Sequence, residues 1–201
     1  VILTQLRTAT AEDHGRAETA MPSLDELADF DGYAWSLRAL HGFFAAWEAP
    51  VFGALDTLAS ELSMADRRKL PLLVRDLDVL GIAPALIVCA PPGDRAFAIP
   101  RALGAMYVLE GSTLGGQVIQ RQCVEPLGMS PDRGGAFYHG YGARTGPRWK
   151  AFGEVIEAHV LHHGDSADVI DGARGCFAAL NSWLGRLEPL HHGTTATVHH
   201  G

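Results

Sequence analysis

Apolar residues recur along this chain at the period of an α-helix, and strand-like alternation is nowhere sustained. The clearest run is Tyr33, Leu37, Leu40, Phe44 and Trp47, spaced i, i+4, i+7, i+11 and i+14, which draws one apolar stripe down a long helix. Pro50 is expected to bend or stop that helix, because proline lacks the amide hydrogen and crowds the preceding turn. A second stripe, Leu70, Leu73, Leu77 and Leu80, follows Ser63 and Asp66, which approximate a capping box, and it closes at Gly81. Arg67, Arg68 and Lys69 are then expected mostly on the solvated side. The fold class is all-α.

From Ala83 to Ile99 the chain is interrupted by Pro84, Pro91, Pro92 and Gly93, which reads as a connection with at most a short apolar helix. Pro100 suits the first turn of the next helix, about Arg101 to Cys123. The Gly/Pro-rich stretch from Pro126 to Pro147 lacks periodicity and is expected to be a long ordered loop. Two more helices, about Trp149–His162 and Asp165–Leu187, precede a tail rich in His, Thr and Gly. With 201 residues, 47% of them hydrophobic, the chain can bury one substantial core and is short for two. We therefore expect one domain over residues 1–188 and a mobile His-rich tail over 189–201.

Only 19% of residues are charged and the net charge is -7, which argues against a protein that must neutralise a row of phosphates, so no nucleic-acid partner is expected. Such an acidic surface weakly favours a basic partner. Cys89, Cys123 and Cys176 are odd in number and lack metal-ligand spacing, which fits a reducing cytoplasm better than a disulfide framework. No stretch approaches the roughly 18 to 20 uninterrupted apolar residues that span a bilayer. The first residues show no basic segment followed by an apolar one. A cytoplasmic chain with no membrane association is the expectation.

The segment Arg101–Cys123 has the most unusual composition. At about 100° per residue, Gly104, Val108, Gly111, Ser112, Gly115, Gly116 and Ile119 fall within an arc of roughly 140°. Each interior glycine costs about 1 kcal/mol relative to alanine, so something must come close to the backbone there. Either another helix packs against this face through small residues, or a planar cofactor lies on it. His14 is the second element: Arg7, His14 and Glu18 share one face of the first helix by their spacing. A lone helical histidine is ordinarily a surface or core residue. Paired with an open glycine face, it becomes a candidate axial ligand for a planar metal cofactor.

The run Leu6-Arg7-Thr8-Ala9-Thr10-Ala11-Glu12-Asp13-His14-Gly15-Arg16-Ala17-Glu18 resembles the proximal helix of heme oxygenases, whose histidine ligates iron. Gly104-Ala105-Met106-Tyr107-Val108-Leu109-Glu110-Gly111-Ser112-Thr113-Leu114-Gly115-Gly116-Gln117-Val118-Ile119 resembles the family's glycine-rich distal helix. The form from Tyr107 to Gly116 is similar to that of the bacterial subclass encoded beside bacteriophytochromes, as are Phe137, Gly140-Tyr141-Gly142 and Trp149-Lys150-Ala151-Phe152. The likeness runs from about residue 3 to residue 185.

That resemblance implies a helical fold holding heme between a proximal and a distal helix. It also implies conversion of heme, as substrate and cofactor, to biliverdin, CO and ferrous iron. O2 and electrons from a ferredoxin or an NAD(P)H-dependent reductase would be consumed, and a bacteriophytochrome would be the recipient of the product. His14 would ligate the iron and Glu18 would orient its imidazole, unless Glu18 is an ordinary solvated acid. Gly111, Ser112, Gly115 and Gly116 would form the catalytic face on the oxygen side. Many relatives carry an aspartate where Ser112 stands, anchoring the waters that deliver protons; a serine can donate and accept hydrogen bonds but adds no charge. Arg7, Lys150 and Tyr107 are candidates for holding the propionates. Phe177 reads either as a contact with the porphyrin edge or as core.

Two groups of histidines stand apart. His159, His162 and His163 share one helical neighbourhood, and His191, His192, His199 and His200 crowd the tail; both groups read as solvated surface, with adventitious metal binding the alternative. Two rival functions stay open from the residues alone. A heme sensor or carrier of the same fold would keep His14 without degrading heme, and a third reading uses another cofactor or no metal.

Overall fold

The computed structural model describes residues 1–84, 89 and 98–192, with side chains as far as residue 187. The described residues form helices and no strand. The first helical segment is split: α1 (Ile2–Ala9) and α2 (Ala11–Ala20) meet at Thr10, whose φ of -113 and ψ of 7 leave the helical range. The Thr10 hydroxyl donates to the Leu6 carbonyl at 2.8 Å. Arg7 and His14 therefore lie on different helices, and their shared face is interrupted.

A short helix, α3 (Leu24–Leu27), starts at Ser23 with a reciprocal capping box to Glu26. The box expected at Ser63 does not form, because Ser63 adopts a left-handed conformation with φ of 50 and its side chain caps nothing. A single 3-10 turn, Met64–Arg67, follows Ser63, and α5 (Leu70–Val79) begins only after it. Gly81 closes α5 as expected, at φ of 65. The long helix α4 (Phe30–Ala54) continues past Pro50. Pro50 is exposed, so its ring meets solvent near the helix end and removes one hydrogen bond without disturbing the core.

The centre of the molecule is α6 (Ile99–Ile119), with Pro100 in its first turn and a π-helical turn, Gln120–Val124, beyond it. It packs most extensively against α9 (Ser166–His192). That closeness is encoded by glycine on both sides. A Cβ on Gly104 would overlap the Val169 carbonyl, and one on Gly172 would overlap the Arg101 carbonyl. On its other side α9 meets α4, where Trp183 donates its indole N–H to the Ala39 carbonyl at 2.8 Å and its ring lies over Gly42. The buried apolar residues from Ile2 to Leu184 join in one core.

The stretch expected as a loop over 126–147 contains order of its own. It holds α7 (Ala136–His139) and the 3-10 turn Gly142–Arg144, and it leads into α8 (Thr145–His163), which starts before Pro147. The reason is remote in sequence. The carboxylate of Asp76, fully buried on α5, accepts the amides of Ala136 at 2.8 Å and Phe137 at 2.7 Å, capping α7. Burial pushes the Asp76 carboxyl up, and the two amides pull it down. Tyr33 donates to the Gly134 carbonyl at 2.6 Å and Tyr138 to Ser36 Oγ at 2.9 Å, so the segment is tied to α4 as well. Most of the connection expected over Ala83–Ile99, residues 85–88 and 90–97, lies outside the described residues, as does the structure of the tail beyond residue 192.

Candidate functional site

The glycines of α6 divide into two kinds. Gly104 is filled by α9, and Gly116 is buried, with the Tyr138 carbonyl 3.2 Å from where its Cβ would stand. Gly116 is thus a contact with α7 rather than part of an open surface. At Gly111 and Gly115 a Cβ would meet nothing within 4 Å. Leu114 and Val118, 40% and 43% exposed, flank them. Gly111, Leu114, Gly115 and Val118 are spaced i, i+3, i+4 and i+7, one helical face about 100° wide. The open face is therefore apolar, flat where the glycines stand, and rotated from the arc expected from sequence: it gains Leu114 and Val118 and loses Gly104, Gly116 and Val108, which is buried.

Ser112 stands beside this face, half-buried, and donates its hydroxyl to the Leu109 carbonyl at 2.7 Å. Its hydrogen is spent on its own helix, and only its oxygen lone pairs remain to receive a bond from water. Thr113 does the same to the Glu110 carbonyl at 2.7 Å. Such back-bonding competes with the helical ladder and favours bending at this point.

His14 lies on α2, with its side chain 58% exposed. Its Nδ1 is 3.5 Å from Glu18 Oε2, which leaves Nε2 without a partner among the described residues. The imidazole edge meets Phe177 of α9, ring centroids 5.8 Å apart at 76°. Neighbouring contacts fix the first two helices on α9: Asn181 donates to the Asp13 carbonyl of α2 at 3.0 Å, and Arg174 donates to the Ala9 carbonyl at the end of α1 at 3.2 Å. Since α9 braces both α2 and α6, it sets the relation between His14 and the glycine face. Among the described residues no side-chain contact joins the two.

The other residues singled out from sequence fall into two places. Arg7 is exposed at the end of α1 and lies within electrostatic reach of Tyr107, whose ring packs against Trp149 at 5.6 Å. Burial pushes the Tyr107 hydroxyl up, while its hydrogen bond with Thr10 and the Arg7 cation act in the opposite direction. Lys150 is elsewhere in its contacts: it is 80% exposed on α8 and pairs with Glu154 at 3.7 Å. His159 departs from the solvated expectation, being 9% exposed with Nε2 3.1 Å from Asp165 Oδ2. Among the described residues no group of histidine, cysteine and acid could hold a metal ion, and the three cysteines are buried and free.

Sequence reasoning missed a buried ionic cluster. Glu110, 1% exposed and next to Gly111, receives Arg67 Nη1 at 2.6 Å, Lys69 Nζ at 2.9 Å and the Tyr141 hydroxyl at 2.8 Å. Arg67 and Lys69, both 2% exposed, are the cations expected on a solvated face. Burial pulls the Lys69 ammonium down against the stabilising charge of Glu110, and burial together with Glu110 pushes the Tyr141 phenol up. Arg67 also donates to the carbonyls of Leu62 and Arg148. Glu48 of α4 accepts the amides of Lys69 and Leu70, capping α5. One signal was present in the sequence: Glu110 shares its helical side with the apolar Leu103 and Met106, where an acid needs a cation.

Comparison with known proteins finds relatives of one kind. Residues 95–186 match the family model described as Heme oxygenase. A heme oxygenase from Xanthomonas campestris pv. campestris is 34% identical over 157 residues, covering 78% of this chain and 90% of that protein. Among solved structures, the NO- and CO-bound heme oxygenase from Neisseria meningitidis superposes with a TM-score of 0.75 over 92% of both chains at 23% identity. The heme oxygenase from Leptospira interrogans gives 0.69 over 92% of this chain and 99% of that one at 17% identity.

Proposed function

This chain belongs to the heme oxygenase family, and from that premise we propose that it opens the porphyrin of heme to biliverdin, CO and ferrous iron, with O2 and with electrons from a ferredoxin or an NAD(P)H-dependent reductase. The observation that carries the reading is the apolar face of α6, where Gly111 and Gly115 leave space that any side chain would fill and Leu114 and Val118 stand exposed. A flat apolar ring fits that face, and a histidine with a spare nitrogen fits the other side of the ring.

In this reading His14 binds the heme iron through Nε2, and Glu18 takes the Nδ1 side, fixing the tautomer and the ring orientation. A neutral imidazole leaves the iron reducible and able to take up O2. Phe177 holds the imidazole by its edge. Arg7 and Tyr107, brought together where α1 gives way to α2, bind one propionate, and Lys150 exchanges its exposed pair with Glu154 for the other. On the oxygen side Gly111 and Gly115 let ring and gas approach the backbone, and Ser112 accepts a hydrogen bond from water through its oxygen. The single core from Ile2 to Leu184 supports treating residues 1–188 as one heme-binding domain. The motif likeness supports a bacteriophytochrome as recipient of the product, and the three free cysteines support a reducing, cytoplasmic site of action.

The test is to load the protein with hemin, supply O2 and a reductase system, and follow the heme absorption. Loss of the heme band with appearance of a linear tetrapyrrole is expected; a heme band that persists would defeat the reading. His14→Ala should lose the histidine-ligated spectrum and most turnover, with partial return of the spectrum on adding imidazole.

A further inference from the structure

Among the described residues, no side chain between Glu110 and Gln117 makes a hydrogen bond outside α6, and the glycines leave few that could resist its rotation. Between Glu110 and Gln117 stand Gly111, Gly115 and Gly116, and the hydroxyls of Ser112 and Thr113 are turned back onto the helix. The polar anchors stand at the two ends of this segment. Glu110 is gripped by Arg67, Lys69 and Tyr141. Gln117 donates from Nε2 to Thr145 Oγ1 at 3.2 Å. Residues i and i+7 return to nearly the same side of a helix, so both pins act on one side and leave the Gly111–Val118 face free.

An apolar contact at residue 110 would hold the helix with less cost in desolvation, but it would tolerate rotation. An acid met by donors from three directions does not. Those donors come from separate segments: the turn before α5 supplies Arg67 and Lys69, and the chain between α7 and α8 supplies Tyr141. Arg67 in turn reaches the Arg148 carbonyl on α8 at 3.1 Å.

We propose that Glu110, held by Arg67, Lys69 and Tyr141, is a positioning residue for heme cleavage: it fixes the rotation of Gly111–Gly116 so that the open face of α6 meets the porphyrin at one angle. The proposal rests on the reading of that face as the heme surface. Misplacement of a reacting group by about 1 Å can cost on the order of a hundredfold in rate, so a looser segment impairs cleavage more than it impairs binding.

Two variants test it. Tyr141→Phe removes one hydroxyl and leaves the charges paired. Glu110→Gln removes the acid and exposes Arg67 and Lys69 to a neutral partner, at greater risk to folding. Three quantities are read in each: amide hydrogen exchange of residues 111–116 in the heme-free protein, hemin affinity with the ferric heme spectrum, and the single-turnover rate of heme loss. In Tyr141→Phe, exchange of 111–116 should rise about tenfold while α9 stays protected. Hemin affinity should hold, the ferric spectrum should change, and heme loss should slow by about tenfold. Unchanged exchange in a folded Tyr141→Phe protein overturns the proposal. So does faster exchange with wild-type spectrum and turnover, since the cluster would then serve only stability. If the wild-type hemin complex is not degraded, the functional reading fails on its own account, and exchange with the ferric spectrum still decides the role of Glu110.

Discussion

Gly104 and Gly115 lie on the same helix, and the same absence of a side chain serves opposite ends. At Gly104 the missing Cβ is the space into which the backbone of α9 fits, so the glycine is consumed by packing. At Gly115, as at Gly111, the space is left empty. A glycine stripe thus has no single meaning: one part of α6 is an interior seam, and the next part is a surface held open. What separates them is where α9 and α7 pass, which no local pattern specifies.

Substitution at the two kinds of glycine should move different quantities. Gly115→Leu is expected to have the largest effect, reducing hemin affinity by about a hundredfold or more, roughly 2.7 kcal/mol, while helical content and the urea midpoint hold. Gly104→Ala should do the reverse, because its methyl meets backbone rather than a flexible side chain: about 1 to 3 kcal/mol of unfolding free energy is lost, and the folded fraction binds hemin normally. A hemin titration beside a urea denaturation separates the two, and a common response in both variants would dissolve the distinction. Ser112→Ala removes at most a neutral hydrogen bond, about 0.5 to 1.5 kcal/mol, and its hydrogen already belongs to Leu109. Single-turnover heme loss should therefore slow by no more than about tenfold, with hemin affinity unchanged. In the heme-free protein Gly111→Ala should have the smallest effect, a rise in stability of about 0.5 to 1 kcal/mol by thermal or urea unfolding, since no protein atom lies where its methyl would stand.

The same contrast explains what could be read from the sequence. The apolar stripe from Tyr33 to Trp47, Pro100 in the first turn of α6 and the closing Gly81 are local devices, and each works within a few residues of where it is written. The paired motifs around His14 and Gly111 were legible because they are contiguous. Arg67 and Lys69 were misread because their partner, Glu110, is 43 and 41 residues away. Likewise α7 looked like loop because Asp76, which caps it, is 60 residues upstream of Ala136. Helical period shows which face of an element is apolar; it does not show which remote charge will come to meet a polar residue. Glu110 was a visible exception, an acid on an apolar side of α6, as were Asp76 on α5 and Glu48 on α4.

In the proposed function heme occupies the Gly111–Val118 face of α6, opposite His14, and leaves the Gly104–Gly172 seam untouched. Amide hydrogen exchange of the protein with and without hemin tests this most directly. Added protection should appear at residues 111–118 and along α2, with exchange at 101–106 and 169–173 unaltered. Hemin protection confined to the seam, or to segments away from α2 and the second half of α6, would contradict it.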